Sequence, residues 1–136
     1  MLKDYRDLLV WQKSYQICLQ VYRATRKFPV DERYGLTAQM RRAAVSVPSN
    51  IAEGYSRSTT GDYLRSLHYA YASNSELETQ AMLARDLEYL ELDEFAKLSE
   101  GIREVERMMK ALIKSLERRH SNPRLLESSN PPEAKP

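Results

Sequence analysis

The sequence predicts an all-α protein, an antiparallel up-and-down four-helix bundle with a flexible C-terminal tail. Three observations lead there. Apolar residues return every three or four positions through four long segments, the spacing of a helix face. Only 4 Gly and 6 Pro occur in 136 residues, and Pro131, Pro132 and Pro136 stand at the very end, so few breakers interrupt the periodic part. Hydrophobic residues make up 42% and charged residues 29%, a balance suited to one soluble globular domain.

The first helix is expected from near Asp4 or Asp7 to about Lys27. Early acids suit the positive end of a helix, and Arg23, Arg26 and Lys27 suit the negative end. Leu8, Trp11, Tyr15, Cys18, Tyr22 and Thr25 form one stripe, and Val10, Ile17, Val21, Ala24 and Phe28 a second. Together they make an arc wider than one seam, able to touch two neighbours or a second subunit. Pro29 stops the helix by pushing Phe28 out of the α region.

The second helix carries Leu36, Met40, Ala43, Ala44, Val47, Ile51 and Tyr55, with Asp31 or Thr37 as expected caps. Pro48 removes a donor and crowds the carbonyl of Ala44, so a kink or local break is expected there. Gly54 marks a tight packing point or the helix exit. Residues 56–61 read as a turn, with Thr59 and Asp62 as a capping box. The third helix is expected over about 60–87, a rod of roughly 42 Å. A turn near Tyr89 to Asp93 precedes the fourth helix, where Phe95, Leu98, Ile102, Val105, Met109, Leu112 and Leu116 repeat for three heptads. Residues 1–119 thus form the bundle domain. Residues 120–136, rich in Pro and Ser, are expected to be a disordered tail.

Catalytic signals are weak. Cys18 is the sole cysteine, which excludes an intrachain disulfide and a cysteine metal cluster within one chain. It reads as a buried, inert thiol. His68 and His120 are the only histidines and neither sits at metal-ligand spacing. No nucleophile elbow, phosphate loop or dinucleotide fingerprint occurs. A non-enzymatic protein without cofactor or metal is expected. No stretch approaches the roughly 20 apolar residues of a membrane span, and the N-terminus is not signal-like, so the cytoplasm is the expected compartment.

Two groups of polar residues stand out. Arg42, Ser46, Asn50 and Glu53 share one face of the second helix, and Asn74, Glu76 and Glu78 lie on the third. If the faces meet, Arg42 needs a carboxylate from Glu53, Glu76 or Glu78, giving a polar layer of Arg42, Ser46, Asn50, Glu53 and Glu76 that fixes register or assembly. The second group is basic. Residues 1–60 carry 10 Lys and Arg against 5 Asp and Glu, while residues 61–136 carry 11 against 14. Arg33, Arg41, Arg57 and Arg65 are the candidate contacts to RNA or another nucleic acid, with Tyr34, Tyr55 and Tyr63 as stacking candidates. The surplus aromatic arc of the first helix favours self-association. A protein-binding scaffold without nucleic-acid contact is the competing reading.

The stretches DLLVWQKSYQICLQVYRATRKFP at 7–29, YGLTAQMRRAAVSVPSNIAEGYSR at 34–57 and YLRSLHYAYASNSELETQ at 63–80 resemble the four-helix bundle proteins encoded in bacterial 23S ribosomal RNA intervening sequences. The resemblance covers roughly residues 4–118. It implies an antiparallel bundle assembled into a ring-like homopentamer, and a nucleic-acid or ribosomal role. Related bundles serve as accessory subunits of retroelement reverse transcriptases. The family's recurrent polar positions match Arg41, Arg42, Ser46, Asn50, Glu53 and Glu76 here. The basic pair that often follows the Glu-Gly step is reduced to Arg57 alone.

Overall fold

The computed structural model describes residues 3–121. Four helices account for its core: α1 (Leu9–Thr25), α2 (Leu36–Tyr55), α3 (Thr60–Asp86) and α4 (Leu92–Ser121), with no strand among the described residues. The rest of the expected tail, residues 122–136, lies outside them.

Long rods joined by short turns fold back on one another, and cross-helix contacts fix the direction. Arg42 meets Glu76, Ser46 meets Ser73 and Gly54 faces Ser66, so α2 and α3 run oppositely. Lys27–Glu94, Lys13–Glu104 and the approach of Ile17 to Gly101 set α1 against α4 in the same way. Tyr71–Glu106 and the bond from Asn74 to Ile102 do so for α3 and α4. The helices pack in a closed square, α1 beside α2 and α4, α3 beside α2 and α4.

The start of α1 differs from the continuous helix expected. Asp4 caps a short 3-10 turn over Tyr5–Asp7, its side chain accepting from Arg6 N, while Asp7 accepts from Asp4 N. The chain is extended at Leu8 before α1 begins. The helix ends at Thr25, four residues before Pro29, which disfavours the α region at Phe28. Of the two apolar stripes, Val10, Ile17 and Val21 enter the core with Ser14 and Thr25. Trp11, Tyr15, Cys18 and Tyr22 flank it.

Neither expected residue caps α2. Gly35 is the N-cap, and Glu32 Oε1 accepts from Leu36 N at 3.1 Å. A Cβ at position 35 would stand 2.7 Å from that oxygen, so glycine makes room for the cap. Pro48 does not break the helix. It is buried inside α2 between Val47 and Ile51, which are 2% and 0% exposed. Burial of such side chains, at about 1.5–3 kcal/mol each, offsets the roughly 3 kcal/mol that an internal proline costs. Gly54 is the close-approach point: a Cβ there would lie 2.8 Å from Ser66 Cβ.

Thr59 caps α3, accepting from Asp62 N at 3.1 Å. The α3 end is a Schellman turn with Glu88 at φ 64°, where Tyr89 N donates to Ala84 O at 2.8 Å. The expected α4 seam is buried at Leu98, Ile102, Val105, Met109, Leu112 and Leu116, joined by Gly101, Met108 and Ile113, while Phe95 is only half-buried. No helix among the described residues is long and apolar enough to cross a membrane.

Candidate functional site

The polar face of α2 meets α3 as a ladder along their outer seam. Arg42 Nη2 donates to Glu76 Oε2 at 2.9 Å, and Arg42 also holds Gln39 Oε1. The Ser46 and Ser73 hydroxyls lie 2.8 Å apart, and Asn50 Nδ2 donates to Ser46 O and Oγ at 2.9 Å. Glu53 pairs with Arg57 one turn on, along α2 itself. Of the three carboxylates considered for Arg42, Glu76 is the partner. Glu78 instead faces Arg103 of α4 at 3.5 Å. The Arg42 and Glu76 side chains are 57% and 42% exposed, so this rung is an exposed pair worth about 1 kcal/mol or less. Asn74 of α3 is a buried polar group, and it donates to Ile102 O at 3.0 Å across the α3–α4 seam.

The aromatic residues of α1 line a groove of about 520 Å³ between α1 and α2. Tyr5 meets Trp11 edge-on and Trp11 meets Tyr15 at a tilt, with ring centroids 5.3 and 5.0 Å apart. Cys18 and Leu19 lie on the α1 wall, with Val45 and Pro48 on the α2 wall. Tyr15 and Tyr22 remain 41% and 38% exposed. Cys18 is half-buried in this groove, and burial raises its thiol pKa above the ordinary value.

The four candidate arginines are not gathered. Arg33 is exposed in the α1–α2 connection, over the Tyr34 ring at 6.0 Å. Arg41 is held between Thr25 Oγ1, at 2.8 Å, and the Tyr22 ring, at 4.8 Å. Arg57 lies in the turn just past α2, paired with Glu53, and Arg65 lies near the start of α3. Arg41 lies about 21 Å along the helix axis from Tyr55, the last residue of α2. Of the stacking candidates, Tyr34 is exposed, but Tyr63 is buried against Tyr55 at 6.1 Å.

A second groove, of about 470 Å³, lies between α3 and α4 and is lined by His68, Tyr71, Lys110, Ile113, Lys114 and Glu117. None of its residues stands out by motif. The one trace of it in the sequence is a pair of lysines one helical turn apart, Lys110 and Lys114. Among the described residues no three His, Cys, Asp or Glu side chains stand together as a metal site.

The fold and these surfaces define a four-helix bundle with an aromatic face left uncovered among the described residues. A family profile described as "23S rRNA-intervening sequence protein" matches residues 6–111, and the chain belongs to that family. The chain is also similar in fold to a protein of unknown function from the S23 ribosomal protein family of Bacteroides thetaiotaomicron, solved by crystallography. The TM-score is 0.73 and the identity 19%, over 78% of this chain and 99% of that one. A search of curated proteins finds no match.

Proposed function

We propose that this chain is a non-enzymatic, homo-oligomeric bundle of the cytoplasm that binds RNA or another nucleic acid through basic surface residues. The observation that carries the assembly is the aromatic groove between α1 and α2. Trp11, Tyr15 and Tyr22 hold apolar surface at its mouth that no element among the described residues covers. A closed ring of identical subunits buries such a face without leaving an open end, and the family resemblance gives five as the subunit number. Nucleic-acid binding is supported by the family description, which ties these proteins to ribosomal RNA, and by exposed Arg33 and Arg65. Arg57 supports it as well, since an exposed pair with Glu53 exchanges readily for phosphate.

The competing reading, a scaffold or accessory subunit for another protein, is favoured by Arg41, whose guanidinium is already engaged by Thr25 and Tyr22. Purification from cells with and without nuclease separates the two. Nucleic-acid binding predicts RNA that co-purifies and leaves with added salt. One stoichiometric protein partner that persists after nuclease, with no RNA retained, would replace it.

A further inference from the structure

The cations of α4 are arranged differently from the acids around them. Arg103, Arg107, Lys110, Lys114 and Arg118 recur at spacings of four, three, four and four, which puts them along one flank of the helix. All five are exposed. The acids of the same stretch lie to either side of this flank: Glu104 pairs with Lys13 of α1 at 3.3 Å, and Glu106 accepts from the Tyr71 hydroxyl of α3, on the side of the α3–α4 groove. Glu117 borders the α3–α4 groove beside Lys114. Among the described residues, only Arg103 of the five cations has an ion-pair partner, Glu78 at 3.5 Å. Two like-charge pairs one turn apart, 110/114 and 114/118, therefore have no ion pair to a neighbouring helix among the described residues, an arrangement that weakens a helix in isolation.

We propose that this flank of α4, with the α3–α4 groove at its edge, is the phosphate-binding track of the chain, and that its ligand is the backbone of single-stranded RNA. The proposal rests on the nucleic-acid reading above and moves the contact from the scattered arginines to α4. From Arg103 to Arg118 the track runs about 22 Å, with steps of about 6 Å between residues four apart. Such steps suit successive phosphates on one strand. His68 stands on the α3 side of the groove, across from Lys110 and Lys114. The α3–α4 seam also lies opposite the aromatic α1–α2 groove in the square of helices. Assembly through one face thus leaves the track open on the other, and copies repeated around a closed assembly bind one strand together.

The test is fluorescence anisotropy with a labelled single-stranded RNA of about 20 nucleotides, using the full chain at about 50 to 200 mM salt. The variants are Arg107→Gln/Lys110→Gln/Lys114→Gln and, for comparison, Arg33→Gln/Arg57→Gln, each checked for helix content by circular dichroism. All these side chains are exposed, so both variants are expected to fold. The α4 variant is expected to bind at least about tenfold more weakly, and its salt slope to flatten by about 2, at ~0.7 for each phosphate that is no longer neutralised. The comparison variant is expected to weaken binding less than the α4 variant does, because it removes two separated cations and leaves the track whole. Equal binding by wild type and the α4 variant overturns the track. If binding disappears only in the comparison variant, the track falls and the nucleic-acid reading stands. Wild type with no salt-dependent RNA binding overturns both.

Discussion

The Tyr89 hydroxyl donates to Glu32 Oε2 at 2.9 Å, while the other oxygen of the same carboxylate accepts from Leu36 N at 3.1 Å. One side chain thus caps α2 and ties the α1–α2 connection to the α3–α4 turn, with the Phe28 ring 5.4 Å from Tyr89. Glu32→Ala removes the cap and leaves the hydroxyl without this acceptor, at an expected cost of about 1–2 kcal/mol in urea denaturation. Glu32→Gln keeps one carbonyl oxygen for two donors and should fall between. A wild-type midpoint for Glu32→Ala would contradict the capping role.

Tyr63 offers a test in the opposite direction. Its hydroxyl is buried with no hydrogen-bond partner among the described residues, and desolvation, with a smaller contribution from Tyr55, raises its pKa well above the ordinary tyrosine range. Tyr63→Phe should raise stability at neutral pH by about 1 kcal/mol, since it removes an unsatisfied group. The sign of the pH effect follows from the raised pKa. Below about pH 10 both states hold the proton, and above it the unfolded chain ionises first, so folding stability falls as pH rises. Tyr89 adds to the same alkaline loss, chiefly through its hydrogen bond to Glu32. Denaturation of wild type and Tyr63→Phe from about pH 8 to about pH 11, a span that brackets the ordinary tyrosine pKa, should show the smaller alkaline loss in the variant.

Gly54→Ala should destabilise, against the rule for helix interiors. Alanine normally gains about 1 kcal/mol over glycine there. Here its Cβ would press on Ser66 Cβ at 2.8 Å and Tyr63 Cδ1 at 3.0 Å, where α2 and α3 cross. Overpacking of about 1–3 kcal/mol should win. A raised melting temperature would show that the crossing relaxes freely.

Glu88→Gly should stabilise by about 0.5–1 kcal/mol, because Glu88 holds a positive φ, 64°, at the position after α3 where glycine is the usual residue. Thermal melts of the two chains measure the difference directly, and a loss would mean that the side chain contributes more than its backbone costs.

The helices were legible because each buries a periodic stripe: Ile17 and Val21 on α1, Ile102 and Val105 on α4. The sequence hid features made by side chains that reach across the chain. Glu32 caps α2 from four residues before Leu36, through a glycine that carries no cap of its own, so a search for Ser, Thr or Asp next to the helix passes over it. Pro48 suggested a kink or a local break, because local rules omit the packing around it, and the helix runs on through it. Asn74 was visible as a polar residue on an apolar stripe, but its acceptor is the backbone carbonyl of Ile102, which no residue pattern marks. Glu76 was one of three equal choices for Arg42 until α2 and α3 were set in register. Charge counting by half-chain pointed to residues 1–60. The acids that offset the basic flank of α4 in the count, such as Glu104 and Glu106, turn to α1 and α3 instead.

The mass of the full chain in solution, by sedimentation equilibrium over a range of concentrations, bears most directly on self-association through the α1–α2 groove. Wild type should run as a multiple of its 15.8 kDa monomer, five-fold for the ring that the family resemblance implies. Trp11→Ser/Tyr15→Ser, altered at the mouth of the groove, should shift towards the monomer while staying helical. A wild-type chain that remains at 15.8 kDa at every concentration would contradict assembly through this face.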